Sequence, residues 1–361
     1  MNAPNKNIAL MTTGGDCSGL NYTIKSIVVR AKLKYATEVI GLHHGTRALV
    51  DAEHLSYTRF NLSKILHCQA ISAGSMIGSQ SSGNPFHFKN DEGEYEDVSD
   101  RVIENYKALD CKGLILIGGD GSFSIMSRLA EQGDIPLIAI PKTIDNDIGF
   151  TENAIGFNTG LTQAVNAIDA LHTTAMSHKR IMLVELMGKG TGTLALQAGL
   201  AGDADIILLP EFMVDPDKLI QKIDAVMKRV SKYCIIVLAE GVKDVEGSTF
   251  LKAHQDGSKR YAGAGQYYAD LIAQKTKYEV RLTSLGHVQR GGDATPSDRL
   301  LGATLGVHAV DALMRDQRGK MLGWYQQKVI ETPIEKVLSF EKRVVQKEVL
   351  VKTAKALGKM L

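Results

Sequence analysis

The sequence predicts an α/β fold of two lobes, each a largely parallel β-sheet flanked by helices. Three observations carry this. Short apolar runs that end in glycine or an acid recur along the chain. Amphipathic helical patterns lie between several of them, and alternating units of this kind build parallel sheets. A length of 361 residues exceeds the usual size of one domain.

The runs are NIALMTTGGD (7–16), KGLILIGGDG (112–121), IPLIAIPKT (135–143), RIMLVELMG (180–188), ADIILLPE (204–211) and CIIVLAEG (234–241). Each is strand-length, rich in Ile, Leu or Val, and lacks alternation, as parallel strands buried on both faces require. After the first run, Leu20, Ile24, Ile27 and Val28 fall on one helical face, with Ser18 placed to cap the helix. After the second, Phe123, Met126 and Ala130 repeat that pattern and Gly133 is positioned to stop it. The acidic FKNDEGEYEDVSDR (88–101) reads as a solvated loop, and EKRVVQKEVLVKTAKAL (341–357) as a terminal helix with a basic outer face. A boundary near residue 160 divides a first lobe (1–158 plus about 291–340) from a second (about 159–290 plus the C-terminal helix).

Composition narrows the function. Apolar residues make up 44% and charged residues 23%, with a net charge of +2. This argues against a dedicated nucleic-acid or membrane surface. Cys17, Cys68, Cys111 and Cys234 have no metal-ligand spacing and read as thiols of a reducing compartment. The start MNAPNKNIALMTTGG has too short an apolar stretch for a secretory signal, and no run approaches the roughly 18 apolar residues of a membrane span. A cytoplasmic protein is expected.

Six segments carry the chemistry. In TTGGDCSGLN (12–21), a glycine pair at a strand end followed by a helix start brings backbone N–H groups toward an anion; a ligand-free tight turn is the equal alternative. GGDGS (118–122) repeats the arrangement. Asp120, between glycines, offers the hard oxygen that a phosphate-bound Mg²⁺ needs, and Gly121 leaves room for a phosphate chain. PKTIDND (141–147) places Lys142 and two carboxylates, Asp145 and Asp147, at a strand's carboxyl end, where ligands of such sheets bind. One carboxylate there can act as a general base, and the other can orient the site or act through metal-bound water. HKRIMLVELMGKGTG, LAEGV and VRLTSLGHVQRGG add Arg180, Lys189, Arg281, His287 and Arg290 as cationic donors for phosphate. Glu240 is either an acceptor for sugar hydroxyls or half of a surface ion pair.

GGDCSGLN, GGDGS, PKTIDND, HKRIMLVELMGK, LAEG and LGHVQRGG, in this order and at these intervals, resemble the phosphofructokinases from about residue 7 to about residue 310. The resemblance implies phosphoryl transfer to the 1-hydroxyl of fructose 6-phosphate, with Mg²⁺ as cofactor and ATP or pyrophosphate as donor. Asp145 then matches the general base, and Thr143 helps hold the sugar. Asp120 matches the magnesium-associated aspartate. Gly15, Gly119, Gly121 and Ser122 match positions around the donor phosphates. Arg180, Met187, Gly188, Glu240, Arg281, His287 and Arg290 match the sugar-phosphate site, which Ile144, Lys189, Val288 and Gln289 complete from inside the same motifs. The first lobe becomes the donor lobe and the second the sugar-phosphate lobe. Arg180 and Arg281 match residues that reach in from a neighbouring subunit, implying a homo-oligomer, dimer or tetramer, with shared active sites.

The family divides by donor. Pyrophosphate users usually carry aspartate at the position of Gly121 and lysine at that of Lys142, so this chain mixes the two patterns; the space at Gly121 favours ATP. After MIGS, where the family has a phosphate-bridging arginine, this chain has Gln80 and Ser81. The arginine's absence weakens stabilisation of the transferring charge unless another cation, Lys142 or Arg47, substitutes. The usual MGR is MGK here, and Val29 stands where an effector-site arginine is common, although Lys25 matches another. A non-catalytic sugar-phosphate or nucleotide sensor, or a regulatory subunit, of the same fold is the rival reading.

Overall fold

The computed structural model describes residues 6–51, 53, 55–80, 83–90, 92–253 and 259–361. The chain divides into two compact units. The first comprises Met1–Thr143, Ile148–Thr159 and Arg290–Glu341; the second comprises Ile144–Asp147, Gly160–Gln289 and Lys342–Leu361. The PKTIDND stretch therefore leaves the first unit after Thr143 and returns to it at Ile148.

All six apolar runs form strands: Asn7–Thr12, Cys111–Gly118, Leu137–Pro141, Ile181–Leu186, Ile206–Leu208 and Cys234–Ala239. They pair in parallel. In the first unit, the sheet has seven strands in the order Lys328–Pro333, Lys320–Tyr325, Leu137–Pro141, Cys111–Gly118, Asn7–Thr12, Val39–Leu42 and Tyr57–Arg59. Only the two outermost strands are antiparallel to their neighbours. Along the strand Cys111–Gly118, Leu114 and Leu116 pack in the cluster with Phe123, Met126 and Leu129, and the intervening Ile115 and Ile117 are buried on the opposite side. Burial on both faces explains the missing alternation in the sequence.

Strand order reverses between Asn7–Thr12 and Cys111–Gly118, because the chain leaves the first toward one edge and the second toward the other. That reversal opens a crevice at the carboxyl ends of these two strands. Residues 12–15 and 118–122, at these strand ends, border it.

The second unit's sheet is four parallel strands in the order Val280–Ser284, Ile181–Leu186, Cys234–Ala239 and Ile206–Leu208. Its three inner and far strands are buried along their lengths, with only Glu185 partly open, whereas the edge strand Val280–Ser284 has no fully buried residue. Its core is aliphatic, with Tyr268 the largest side chain fully enclosed.

Local expectations met several corrections. Ser18 does not cap its helix; the hydroxyl donates to the Gly292 carbonyl at 2.6 Å, and Gly19, at φ 99°, leads into Leu20–Tyr35. Gly133 is the last residue of the helix Asp120–Gly133, and Asp134 takes the left-handed stop at φ 50°. The 88–101 segment contains the hairpin Phe88–Lys89 with Tyr95–Glu96, then starts the helix Ser99–Ala108. The terminal pattern is helical only over Val349–Ala356. Among the described residues no helix is long and apolar enough to cross a membrane.

Candidate active site

In the first unit, the two glycine turns meet through backbone hydrogen bonds. Thr13 N–H donates to the Ile117 carbonyl at 3.1 Å, and Lys142 N–H to the Gly118 carbonyl at 2.9 Å. Gly14 is left-handed at φ 79°, and its N–H reaches the Gln80 carbonyl at 3.0 Å. Gly118 has no alternative: a Cβ there would lie 2.9 Å from both Ser122 Cβ and Thr13 Oγ1. Ser81 lies outside the described residues.

Positive charge gathers at this turn. Lys142 is 4% exposed, and its ammonium donates to the Gly15 carbonyl. It lies 3.2 Å from where a Cβ on Gly14 would sit, with Ser122 Oγ at 3.4 Å from the same point. Arg290 donates through Nη1 to the Asp16 carbonyl at 3.0 Å, and a Cβ on Gly15 would come within 2.6 Å of that nitrogen. The helix Asp120–Gly133 begins here without a side-chain cap, so its first N–H groups and positive dipole end add to the two cations. Arg47, by contrast, is exposed on the 3₁₀ turn Gly45–Leu49. Cys17 beside this turn is buried, which pushes its thiol up to about 12 and keeps it protonated.

Asp120 and Gly121 are exposed on the first turn of their helix, and a Cβ on Gly121 would meet nothing within 4 Å. Among the described residues no three or more His, Cys, Asp or Glu side chains cluster to hold a metal. A lone exposed carboxylate fits Mg²⁺, which keeps waters and takes most remaining ligands from substrate phosphates.

In the second unit, Asp145 is buried at 2% exposure between Ile144 and the left-handed Asn146 (φ 52°). The Lys189 ammonium lies 3.8 Å from Asp145 Oδ2. Lys189 belongs to a loop, 187–192, that follows the strand Ile181–Leu186, and this loop is held through its backbone. Met187 N–H donates to Gln289 Oε1 at 2.8 Å, Lys189 N–H to Glu240 Oε1 at 3.1 Å, and Thr191 N–H to the Gly188 carbonyl at 3.0 Å. Gly188 at φ 149° and Lys189 at φ 47° occupy left-handed backbone that needs such support.

The phosphate-binding candidates of this unit are not all together. Arg180 immediately precedes the strand Ile181–Leu186, and Arg281 is the second residue of the neighbouring Val280–Ser284. Both stand at the amino ends of their strands, where they share Glu279, at 3.7 Å and 2.5 Å. Met187 and Glu240 stand at the carboxyl ends of theirs. At about 3.3 Å per residue, the intervening strand separates the two groups by close to 20 Å. His287 and Val288 are exposed on the 3₁₀ turn Gly286–Arg290, and Gln289 is buried.

A family model for phosphofructokinase matches residues 7–313. The chain belongs to the phosphofructokinase family. It is 42% identical to ATP-dependent 6-phosphofructokinase 1 of Nostoc sp. and 41% identical to the protein of that name from Synechocystis sp., covering 98% of this chain in both and 98% and 97% of the relatives. Among solved structures it resembles Pichia pastoris phosphofructokinase with a TM-score of 0.78 and 25% identity; the match covers 99% of this chain and 39% of that one.

Sequence reasoning missed three carboxylates of this phosphofructokinase. Glu211 receives N–H groups from Gly192 and Val344, and Glu279 links the two arginines. Asp298, fully buried, accepts from Gly156 N–H, Thr159 N–H and the Thr159 hydroxyl at 2.6–3.0 Å, pinning the start of the helix Phe157–His178. Burial pushes the Asp298 carboxyl above the ordinary range despite these bonds. Only Asp298 left a signal, the TPSD run that opens the helix Pro296–Met314.

LAEG gains a structural reason here. A Cβ on Gly241 would lie 1.7 Å from the Lys189 carbonyl oxygen, so the chain crosses the 187–192 loop where only glycine fits. Gly241→Ala is expected to displace that loop and to cut kcat/KM for the sugar at least tenfold, with the loss concentrated in KM, as a backbone clash of this size demands. Steady-state kinetics check it; an unchanged KM means the loop takes no part in sugar binding.

Proposed function

We propose that this phosphofructokinase transfers the γ-phosphoryl group of ATP to the 1-hydroxyl of fructose 6-phosphate, giving fructose 1,6-bisphosphate and ADP, a step of glycolysis. The observation that carries the reading is the turn at Gly14–Gly15. Lys142, Arg290 and an uncapped helix start bring positive charge to a glycine-lined strand end, beside open space at Gly121. Phosphoryl transfer asks chiefly for positioning and for neutralising charge spread over phosphate oxygens.

On the donor side, the N–H groups of Gly119–Ser122 and the Ser122 hydroxyl bind phosphate oxygens, and Lys142 supplies the cation missing at Gln80. Arg290, matched by motif to the sugar-phosphate site, serves the donor turn on this reading, because its guanidinium lies against Gly15 and Asp16. Mg²⁺, held by Asp120 and the donor phosphates, would neutralise charge on the transferring group.

On the acceptor side, Asp145 takes the proton of the 1-hydroxyl as oxygen attacks the γ-phosphorus and the bond to the ADP oxygen breaks. Thr143 and Ile144 shape the sugar's reacting end, and Asp147 orients it. Met187, Gly188 and Glu240 bind the sugar, with Lys189 as counter-charge to Asp145. His287 and Val288 bind from the exposed turn, and Gln289 acts by fixing Met187.

Arg180 and Arg281 stand a strand's length from Met187 within the unit, so one sugar phosphate cannot engage both groups on the same chain. This supports a homo-oligomer in which they complete a neighbour's site. Mixing Asp145→Asn chains with Arg180→Ala chains is expected to restore activity that neither has alone. No recovery in verified mixed oligomers would count against shared sites.

The direct test supplies purified protein with Mg²⁺, fructose 6-phosphate and either ATP or pyrophosphate. Turnover with ATP is expected. Turnover with pyrophosphate alone would reassign the donor, and sugar binding without turnover under either donor would favour a sensor. We further propose a cytoplasmic location, in keeping with the free thiols.

A further inference from the structure

Glu211 follows the strand Ile206–Leu208 at the edge of the second unit's sheet. Its carboxylate accepts the Gly192 N–H through both oxygens, at 2.9 and 3.1 Å. The same Oε1 accepts the Val344 N–H at 3.0 Å. One carboxylate therefore joins the far end of the 187–192 loop to the chain's last segment, 342–361. The fit is tight, since a Cβ on Gly192 would stand 2.8 Å from Glu211 Oε2.

That last segment is fastened to the unit independently. Val344, Val351 and Ala354 are buried in the core of the second unit. Beyond the helix Val349–Ala356, the Met360 carbonyl accepts the Ile207 N–H at 2.8 Å, extending the sheet past its edge strand. The C-terminal segment is thus a fixed anchor, and Glu211 is the link from that anchor to the loop.

The loop needs such a link. Gln289 fixes its first residue, Met187, and Glu240 its third, Lys189, so the left-handed Gly188 and Lys189 fall within that span and neither of these anchors reaches Gly192. Gly192 precedes the helix Thr193–Ala201, which has no side-chain cap of its own. Without Glu211, the loop's far end loses its only charged acceptor among the described residues.

We infer that Glu211 is a positioning residue for the sugar-binding loop 187–192, and that it makes the order of this loop depend on the C-terminal segment. This rests on the sugar-binding reading of Met187–Lys189 given above. Glu211 touches no reacting atom; it acts through the backbone of Gly192. Its neighbour in this arrangement, Val344, contributes only an N–H.

Two readouts test it, one of which needs no turnover. In Glu211→Ala, amide hydrogen exchange of the 187–192 peptide is expected to rise about tenfold or more, as loss of hydrogen bonds to a charged group predicts. Exchange in the strands Ile181–Leu186 and Cys234–Ala239 should stay as it was. KM for fructose 6-phosphate should rise by about the same factor, with KM for ATP within twofold. Glu211→Gln, which keeps one carbonyl acceptor, should show a smaller change in the same direction and covers the case where the alanine variant does not fold.

Val344→Pro removes that N–H together with the buried valine side chain, so stability falls, and KM for the sugar should rise as well. Combined with Glu211→Ala, it should add nothing further to KM. Additive effects would overturn the link to the C-terminal segment, and unchanged exchange at 187–192 would overturn the positioning role itself. Raised exchange with an unchanged sugar KM would likewise overturn it for catalysis. If the wild-type chain turns over no sugar phosphate, the functional reading fails, and the exchange experiment still decides whether Glu211 orders the loop.

Discussion

Asp145→Asn is expected to lower kcat by about 10²–10⁴-fold, the range a positioned general base contributes, while fructose 6-phosphate binds nearly as before. The carboxylate is buried at 2% exposure, so its amide replacement keeps shape and packing while removing the negative charge and the proton affinity. Lys189, 3.8 Å away, is 57% exposed on its side chain. An ion pair open to solvent on one side contributes little to stability, roughly 0–1 kcal/mol. Thermal unfolding should therefore shift slightly while turnover collapses. Titration calorimetry with the sugar phosphate, beside kcat, separates the outcomes. A variant that retains more than a tenth of the wild-type kcat would remove Asp145 from the base role. A large loss of sugar affinity would make it a binding group.

The six apolar runs were legible because burial on both faces of a parallel strand leaves an unmistakable pattern. The edge strand Val280–Ser284 escaped notice for the same reason in reverse: only half-buried, its residues VRLTS carry no continuous apolar run. Caps were read less well. Ser18 satisfies every compositional rule for a cap, yet its hydroxyl has a better acceptor in the Gly292 carbonyl, 274 residues away in sequence. Asp134 instead of Gly133 takes the left-handed position, as an acid with local hydrogen-bonding capacity can.

At the candidate site, motif order indicated the chemistry but hid the distances. HKRIMLVELMGK reads as one motif, although a full strand stands between Arg180 and Met187. Nothing in a linear pattern marks that the two ends of a motif face different places. Glu211 was equally silent, because its partners, Gly192 and Val344, are set by the sheet edge and the C-terminal segment. Arg290 shows the opposite case. Its place within LGHVQRGG suggested the sugar, whereas its guanidinium lies over the Gly15 turn.

Gly121→Asp is expected to raise KM for ATP about a hundredfold or more while leaving stability and sugar affinity as they are. The position lets this be tested cleanly. A Cβ there meets nothing within 4 Å, and the residue is exposed. An acid in the first turn of a helix is favoured by the dipole, by about 0.3–1 kcal/mol, so the fold has no objection. Whatever the substitution costs must come from the ligand. A second carboxylate beside Asp120 puts like charge against the nucleotide's phosphates, worth about 4 kcal/mol at 4 Å in a partly screened site, and fills the space the nucleotide would use. Pyrophosphate, with no nucleoside to accommodate, should lose less. Lys142 stays in place in the variant and keeps the donor turn charged, so the comparison isolates the one added side chain. Donor competition assays on wild type and variant give the ratio of kcat/KM for ATP to that for pyrophosphate. A fall in that ratio of tenfold or more supports selection at Gly121, whereas equal losses for both donors would move the origin of the ATP preference away from this turn.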